Sequence, residues 1–225
     1  MNITLGSPIA IIGGGGLGSN LASVMREQGY TNVLLIDDDV SDPKFLGRYA
    51  FFNGISFTNI GIPKTEVIQR TVNNRKNIAP NPTDYIPYPR LTTLHTKVDE
   101  SFDYNLLEQR FCIITTDSVV SREVIERNLR THNLSFVHVG CNLGTVSIFE
   151  TIEDVIGGEE IAGATTSYDS VPDAKTYLTA CCRVLSYLDG ADVRVWVERE
   201  ETMSNPPSMI PNLWPSDLIT GTNHV

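Results

Sequence analysis

Long apolar runs, an excess of basic charge and a signal peptide are all missing from this sequence of 225 residues. No apolar run approaches the roughly 20 residues that cross a bilayer, so we expect no membrane partner. The formal net charge of -10 gives no long-range attraction to nucleic acid, so we expect no nucleic-acid partner either. The N-terminal residues lack the basic and apolar regions of a signal peptide, which predicts a cytoplasmic protein.

Several common catalytic patterns are missing as well. The four cysteines form no C-x-x-C pair, which argues against a zinc site built from such pairs. We interpret all four as structural, because buried cysteine behaves as a small apolar residue: Cys112, Cys141, Cys181 and Cys182. The histidines have no metal-ligand spacing, and no Ser-His-Asp pattern is visible. The sequence therefore gives no sign of zinc chemistry or of a catalytic triad.

A glycine-rich turn directly follows the first apolar run. Residues 9–18 read IAIIGGGGLG, in which Gly13, Gly15 and Gly18 form G-x-G-x-x-G around Gly16. Glycine permits a tight turn and lets phosphate oxygens approach main-chain N–H groups, and the N-terminus of the following helix favours an anion. The motif also fits binders of NAD, FAD or S-adenosylmethionine, and a plain turn. By itself it predicts only a nucleotide-type site.

An acidic cluster ends the second apolar run, which reads LLIDDD. Asp37 follows the glycines by about 20 residues, the position at which a carboxylate meets ribose hydroxyls in dinucleotide-binding folds. We place Asp37 and Asp39 in the binding site and interpret Asp38 as a solvated neighbour. A polar turn with no ligand is the ordinary alternative.

Apolar strands and amphipathic helices alternate along residues 1–200. This alternation predicts a single α/β domain with a Rossmann-like, doubly wound, mostly parallel sheet and helices on both faces. Ligands of such sheets bind beyond the carboxyl ends of the strands, where we place Gly13, Asp37, Asp117 and Gly140. The predicted helices are 17–28, 63–76, 119–132, 174–188 and a short one near 104–109; strands include 85–86 and 191–198.

Two segments depart from this alternation. Residues 152–173 are acidic, small and rich in glycine, which predicts a long crossover loop. Residues 201–225 contain four prolines and are predicted to form an irregular C-terminal tail. Trp214 is a candidate anchor of this tail on a neighbouring surface, and a free tail is an equally good interpretation.

Together, these segments resemble the ThiF/MoeB/HesA superfamily, the adenylating domains related to ubiquitin-activating enzymes. The resemblance covers roughly residues 8–151 and rests on GGGGLGSNLASVMREQGYTNVLLIDDDVSDPKFLGR, IGIPKTEVIQR, ITTDSVVSREVIER and VGCNLGTVSIFET. It implies an ATP- and Mg²⁺-dependent adenylyltransferase. The substrate would be the C-terminal glycine carboxylate of a small ubiquitin-like or sulfur-carrier protein, and pyrophosphate would be released. A symmetric homodimer is the expected assembly.

The resemblance also implies roles for four residues. Asp37 would bind ribose hydroxyls, Arg48 would contact the triphosphate, Lys64 would hold the phosphates and Asp117 would coordinate Mg²⁺. A carboxylate substrate is already ionised at neutral pH, so the site needs no general base and works by positioning and electrostatics. Each residue has an ordinary alternative: a surface ion pair for Arg48, a solvated helix start for Lys64 and a helix N-cap for Asp117.

Three functions are compatible with these features. The leading hypothesis is adenylation without an enzyme thioester, because residues 152–175 contain no cysteine. A catalytically silent nucleotide-binding or protein-interaction module is the first alternative, and Phe45, at a position where the family usually has asparagine, favours it. The second alternative is an NAD-dependent oxidoreductase, which Asp37 fits, although no Tyr-x-x-x-Lys pattern accompanies it.

Overall fold

The computed structural model describes residues 3–42, 60–74, 90–142, 145–152 and 174–191. Within these residues, strands and helices alternate in the order in which they are numbered here. The strands are β1 Ile9–Ile12, β2 Val33–Ile36, β3 Thr92–Leu94, β4 Phe111–Ile114, β5 Phe136–Asn142 and β6 Thr145–Phe149. The α-helices are α1 Gly16–Glu27, α2 Lys64–Asn74, α3 Val119–Thr131 and α4 Ala174–Leu188, and Tyr104–Leu107 forms a 3-10 turn.

The six strands form one sheet in the order β3-β2-β1-β4-β5-β6. The first five run parallel, and β6 returns antiparallel to β5. Ile9 of the central strand pairs with Val33 on one side and Phe111 on the other. The strand order therefore reverses between β1 and β4, which opens a crevice at their carboxyl ends. This topology confirms the predicted Rossmann-like, mostly parallel fold.

Apolar residues cover both faces of the sheet, because parallel strands are buried on both sides. Every residue of β1, β2 and β4 is buried. Side chains of α1, α2 and α4 pack in one apolar cluster, which includes Leu21, Ile68 and Val184. Side chains of α3 and the 3-10 turn pack in a second cluster, which includes Ile125 and Leu107. Helices on both faces make the fold doubly wound, as predicted.

The helix boundaries agree with the sequence predictions to within one or two residues. Strand β3 was not predicted, since three residues at the sheet edge carry too little apolar pattern. Gly140 lies inside β5, which continues to Asn142, so its predicted place at a strand end is wrong. Strand 85–86, residues 153–173, strand 191–198 beyond Ala191 and tail 201–225 lie outside the described residues.

The helices in the described part of the chain are all too short or too polar to cross a bilayer. Their amphipathic faces are instead used inside the fold. In α1, the buried residues Leu17, Leu21 and Met25 recur every four positions and therefore face the sheet together.

Candidate nucleotide-binding site

The glycine loop turns sharply between β1 and α1. Gly13 has a φ of +109°, which L side chains rarely adopt, and its N–H donates to the Ile36 carbonyl at 2.8 Å. A Cβ atom on Gly18 would lie 1.8 Å from the Gly13 carbonyl oxygen. Only glycine at position 18 therefore lets the first turn of α1 pack this closely on the end of β1.

The outer side of the same loop is open. Gly15 caps α1, and a Cβ atom built on it would meet nothing within 4 Å. The first N–H groups of a helix have no acceptor within the helix, and the helix dipole adds a partial positive charge there. Gly15 and the N-terminus of α1 thus form an open cradle whose polarity suits a phosphate group.

Asp37 fastens the end of β2 to the glycine loop. Its Oδ2 accepts a hydrogen bond from Gly14 N at 2.6 Å, and its Oδ1 accepts one from Asp39 N at 2.9 Å. Burial raises the pKa of this carboxyl, and the nearby Lys64 ammonium and the two N–H donors act in the opposite direction. A carboxylate has about four acceptor positions, so capacity remains for ligand hydroxyls such as those of ribose.

Lys64 begins α2 and points its ammonium group at the acidic strand end. Its Nζ lies 2.5 Å from Oδ2 of Asp39, and its backbone N donates to the Asp39 carbonyl at 2.9 Å. The Lys64 side chain is 4% exposed, whereas that of Asp39 is 58% exposed. The interpretation of Lys64 as a solvated helix start is therefore wrong. The structure brings a buried cation to Asp37 and Asp39, two of the three carboxylates that follow β2.

Asp117 lies at the neighbouring strand end with its side chain exposed. The preceding Thr115 joins this strand end to the glycine loop, because its Oγ1 donates to the Gly13 carbonyl at 2.7 Å. Ser118 is the N-cap of α3, and its Oγ accepts from Ser121 N at 3.3 Å. The alternative role of Asp117 as that N-cap is therefore wrong, and its carboxylate faces solvent beside the crevice.

The described residues contain no group of three His, Cys, Asp or Glu side chains that could hold a metal ion by themselves. Mg²⁺ bound with a nucleotide needs fewer protein ligands, since phosphates and water complete its shell around one or two carboxylates. An exposed carboxylate at a strand end, as Asp117 has, suits that second kind of site. The residues fit a phosphate-dependent magnesium site and do not fit a self-contained metal cage.

Most of the predicted site residues meet at one edge of the sheet. The glycine loop, Asp37, Asp39 and Lys64 are linked by hydrogen bonds, and Asp117 lies at the adjoining strand end. Arg48 and Phe45 lie outside the described residues. The role assigned to Arg48 therefore stays a prediction.

Arg122 is a residue of this edge that the sequence analysis missed. It is 2% exposed, and its guanidinium donates to the Val139 carbonyl at 2.8 Å and to the Ile114 carbonyl at 3.3 Å. Burial lowers its pKa to about 10, against the effect of the nearby Asp117 carboxylate. Arg122 thus fastens β4 to β5 close enough to Asp117 to feel its charge. Its position in the first turns of α3, five residues after Asp117, was the available sequence signal.

Tyr177 of α4 is a second missed residue. It is 6% exposed, and its ring lies over the first turn of α1 at Gly16. No local sequence signal marks this contact, because it joins two helices that are far apart in the chain. Tertiary packing alone brings it to the glycine loop.

The cysteines are poor nucleophiles in this fold. Burial raises the pKa of the Cys112 and Cys141 thiols to about 12 and the pKa of the Cys181 thiol well above its usual value. Burial also raises the pKa of Cys182, which is only partly buried. Of the two adjacent cysteines, Cys181 thus lies in the core and Cys182 at its flank.

Comparison with known proteins decides the family. The sequence profile of the ThiF family matches residues 5–188. The chain belongs to the ThiF family. The match confirms the predicted resemblance. The reaction of this particular ThiF-family chain is a separate question.

The catalytic subunit of the NEDD8-activating enzyme E1 of Drosophila melanogaster is 29% identical over 153 residues, which are 68% of this chain and 30% of that protein. E. coli MccB solved with succinimide aligns with a TM-score of 0.57 and 15% identity over 82% of this chain and 57% of MccB. MccB solved with AMPCPP and MccA aligns with a TM-score of 0.56 and 14% identity over 87% of this chain and 64% of MccB. This ThiF-family chain therefore spans less than two thirds of each relative, and the MccB likeness shows the fold.

Proposed function

We propose that this chain is an ATP-dependent adenylyltransferase that activates a carboxylate as its acyl-adenylate. The observation that carries the proposal is the linked set at the carboxyl edge of the sheet. The set consists of an open glycine loop and of two strand-end contacts. The Asp37 carboxylate accepts a hydrogen bond from the loop at Gly14 N, and the buried Lys64 ammonium lies 2.5 Å from the Asp39 carboxylate. A triphosphate needs such local cations and N–H donors in a protein whose net charge is -10.

The proposed reaction is a single displacement at the α-phosphorus of ATP. A carboxylate oxygen of the substrate forms a bond to that phosphorus, and the bond between the α-phosphorus and the bridging oxygen breaks. Pyrophosphate leaves with the electron pair of that bond. No proton has to be removed from an ionised carboxylate, so the protein has to neutralise charge and align the two reactants.

Each residue has a definite task in this proposal. The glycine loop and the N-terminus of α1 bind phosphate, and Asp37 binds the ribose hydroxyls. Lys64 exchanges Asp39 for phosphate oxygens, and Arg48 supplies a second cation. Asp117 holds Mg²⁺, which would neutralise phosphate charge when bound. This assignment uses the observed positions of Asp37, Asp39 and Lys64 at one strand end.

The substrate class is proposed from the relatives. One relative is by name an activating enzyme for NEDD8, and MccB has been solved with MccA and AMPCPP. We therefore favour the C-terminal carboxylate of a small ubiquitin-like or sulfur-carrier protein, or of a peptide. A homodimer, a cytoplasmic location and a division into a 1–200 domain and a 201–225 tail stay predictions.

The proposal includes no thioester between enzyme and carrier. The thiols of Cys112, Cys141 and Cys181 are buried or strongly desolvated, which raises their pKa and keeps them protonated at neutral pH. A carrier adduct on this protein that dithiothreitol removes would contradict this part of the proposal.

Exchange of radioactive pyrophosphate into ATP tests the reaction. We expect exchange that requires Mg²⁺ and a carrier and is lost in Asp117→Ala. Asp103→Ala is a matched control, because Asp103 is also exposed but caps the 3-10 turn away from the sheet edge. Tight ATP binding with no pyrophosphate exchange in the presence of any carrier tested would instead support the catalytically silent module. Preferential binding of NADH would support the oxidoreductase, which the family match does not favour.

A further inference from the structure

Tyr177 lies against the glycine loop more closely than an ordinary core residue would. A Cβ atom built on Gly16 would lie 2.1 Å from the Tyr177 hydroxyl oxygen and 2.4 Å from its ring carbon Cζ. Real Cβ atoms essentially never come this close to a non-bonded atom, so a side chain at position 16 would have to displace the Tyr177 ring. The phenol end of Tyr177 therefore rests directly on the first turn of α1.

The rest of α4 holds this ring in place. Tyr177, Ala180, Cys181, Val184 and Leu188 share one apolar cluster with the inner face of α1. Their spacing along α4 is that of a single helical face. A tyrosine has two rotatable side-chain bonds, and a ring that is 6% exposed in such a cluster has little freedom to turn. The helix thus presents a rigid surface to Gly16.

The preceding glycines of the loop have different surroundings. Gly13 is held by Ile36 and Thr115, and Gly14 by the carboxylate of Asp37. Gly15 meets nothing within 4 Å and faces the open cradle. Gly16 adjoins this open position and has the Tyr177 ring on its other side.

We propose that Tyr177 is a positioning residue of the nucleotide site, whose ring fixes Gly16 and thereby the N–H groups that receive the phosphates. The inference rests on the proposed function and adds a residue from α4 to it. The hydroxyl end of the ring lies against Gly16, which is the orientation such a role needs. Both Cζ and Oη occupy the space above Gly16, and we assign the effect to the bulk of the ring.

Three tyrosine variants test the proposal on the full chain. Tyr177→Leu removes the ring contact, and we expect the Kd for ATP and the KM for ATP in pyrophosphate exchange to rise about tenfold with kcat changed less than about twofold. Tyr177→Phe keeps the ring and is expected to restore both to within about twofold of the parent. Tyr187→Leu is the matched control, since Tyr187 lies on the same helix and contacts Phe111 and Glu150, away from the loop.

The outcomes separate the two proposals. An unchanged Kd in folded Tyr177→Leu, or an equal rise in Tyr187→Leu, would overturn the positioning role and leave the adenylation proposal standing. A parent protein that binds no ATP by calorimetry would overturn both. If Tyr177→Leu does not fold, Gly16→Ala tests the same contact, because the added methyl group on α1 would push against the Tyr177 ring. A raised Kd in Gly16→Ala, reversed in the Gly16→Ala/Tyr177→Ala double variant, would support it, and an unchanged Kd would overturn it.

Discussion

Lys64 places an ammonium group where two carboxylates would otherwise repel each other and a nucleotide. The pair with Asp39 is asymmetric, because Lys64 is 4% exposed and Asp39 is 58% exposed. The Asp39 carboxylate can be solvated when it leaves the pair, but a buried ammonium left without an anion is costly. A phosphate that takes the place of Asp39 keeps the Lys64 charge compensated, while the Lys64 backbone stays fixed by its bond to the Asp39 carbonyl.

The first prediction follows from this charge. Lys64→Met keeps most of the aliphatic stem and removes the ammonium, so we expect ATP affinity to fall about 10- to 100-fold, which corresponds to about 1.5–3 kcal/mol. Titration calorimetry with Mg²⁺-ATP measures it. Lys97→Met is the control, because Lys97 is 66% exposed and 3.9 Å from Asp99. Equal losses in both variants would show that Lys64 does not hold the phosphates.

The second prediction concerns two glycines of the loop: Gly18 is required for folding, whereas Gly15 is required for ATP binding. Gly18→Ala would press a methyl group into the Gly13 carbonyl, so we expect a loss of about 1–3 kcal/mol or more in the free energy of unfolding. Gly15→Ala has open space and a φ of -66°, so we expect only the cost of a poorer N-cap, about 0.5–1 kcal/mol in the free energy of unfolding, but weaker ATP binding. Urea unfolding and calorimetry measure both. Normal ATP binding by Gly15→Ala would contradict the cradle.

At the scale of elements, Glu126 joins α3 to β5 and to the end of β6. Its Oε2 lies 2.7 Å from Nε2 of His138 and accepts from Ile152 N at 2.8 Å, and its Oε1 accepts from Arg130 at 2.8 Å. His138 is fully buried, and among the described atoms its Nδ1 has no hydrogen-bond partner.

This cluster predicts how stability depends on pH. Burial lowers the pKa of His138 to about 4, with the Arg122 and Arg130 charges also lowering it and Glu126 opposing. The carboxyl pKa of Glu126 is lowered too, against the effect of burial, by its bonds to Arg130, His138 and Ile152. The unfolded chain therefore binds more protons than the folded protein below about pH 6.5. We expect the free energy of unfolding to fall as the pH falls from about 6.5 to about 4.

Urea unfolding at several pH values checks this expectation. His138→Gln keeps a donor for Glu126 and cannot titrate, so its stability should change less between about pH 6.5 and 4 than that of the parent. His132→Gln is the control, because His132 is exposed at the end of α3. If the free energy of unfolding depends on pH in the same way in His138→Gln and in the parent, His138 is not the cause of the pH dependence.

The boundaries of elements were predictable because their causes are local. The apolar faces of α1 and α3 are set by neighbouring residues, and both helices appear within one residue of their predicted limits. The edge strand β3 could not be predicted from the sequence. Residues Thr92–Leu94 form a strand because they pair with β2, and their own apolar pattern is too short to indicate one.

At the scale of the whole molecule, ligand binding should stabilise the fold. A ligand at about 100 times its Kd adds about 2.7 kcal/mol to the free energy of unfolding. For a chain of this size we expect ATP with Mg²⁺ to raise Tm by about 5–10 °C, and NADH to raise it little. Differential scanning fluorimetry measures both shifts. A larger shift with NADH than with ATP would favour the oxidoreductase.

The sequence by itself determined the fold class, the glycine loop and the family, because glycine at fixed spacing and alternating apolar runs express local steric and burial requirements. It also placed Asp37 and Asp117, since strand ends can be located from those runs. Only the tertiary structure decided that Lys64 pairs with Asp39, that Arg122 fastens β4 to β5 and that Tyr177 covers Gly16. These contacts join residues from separate elements. The periodicity of a sequence reports which face of one element is buried, and it does not report which residues of two elements meet.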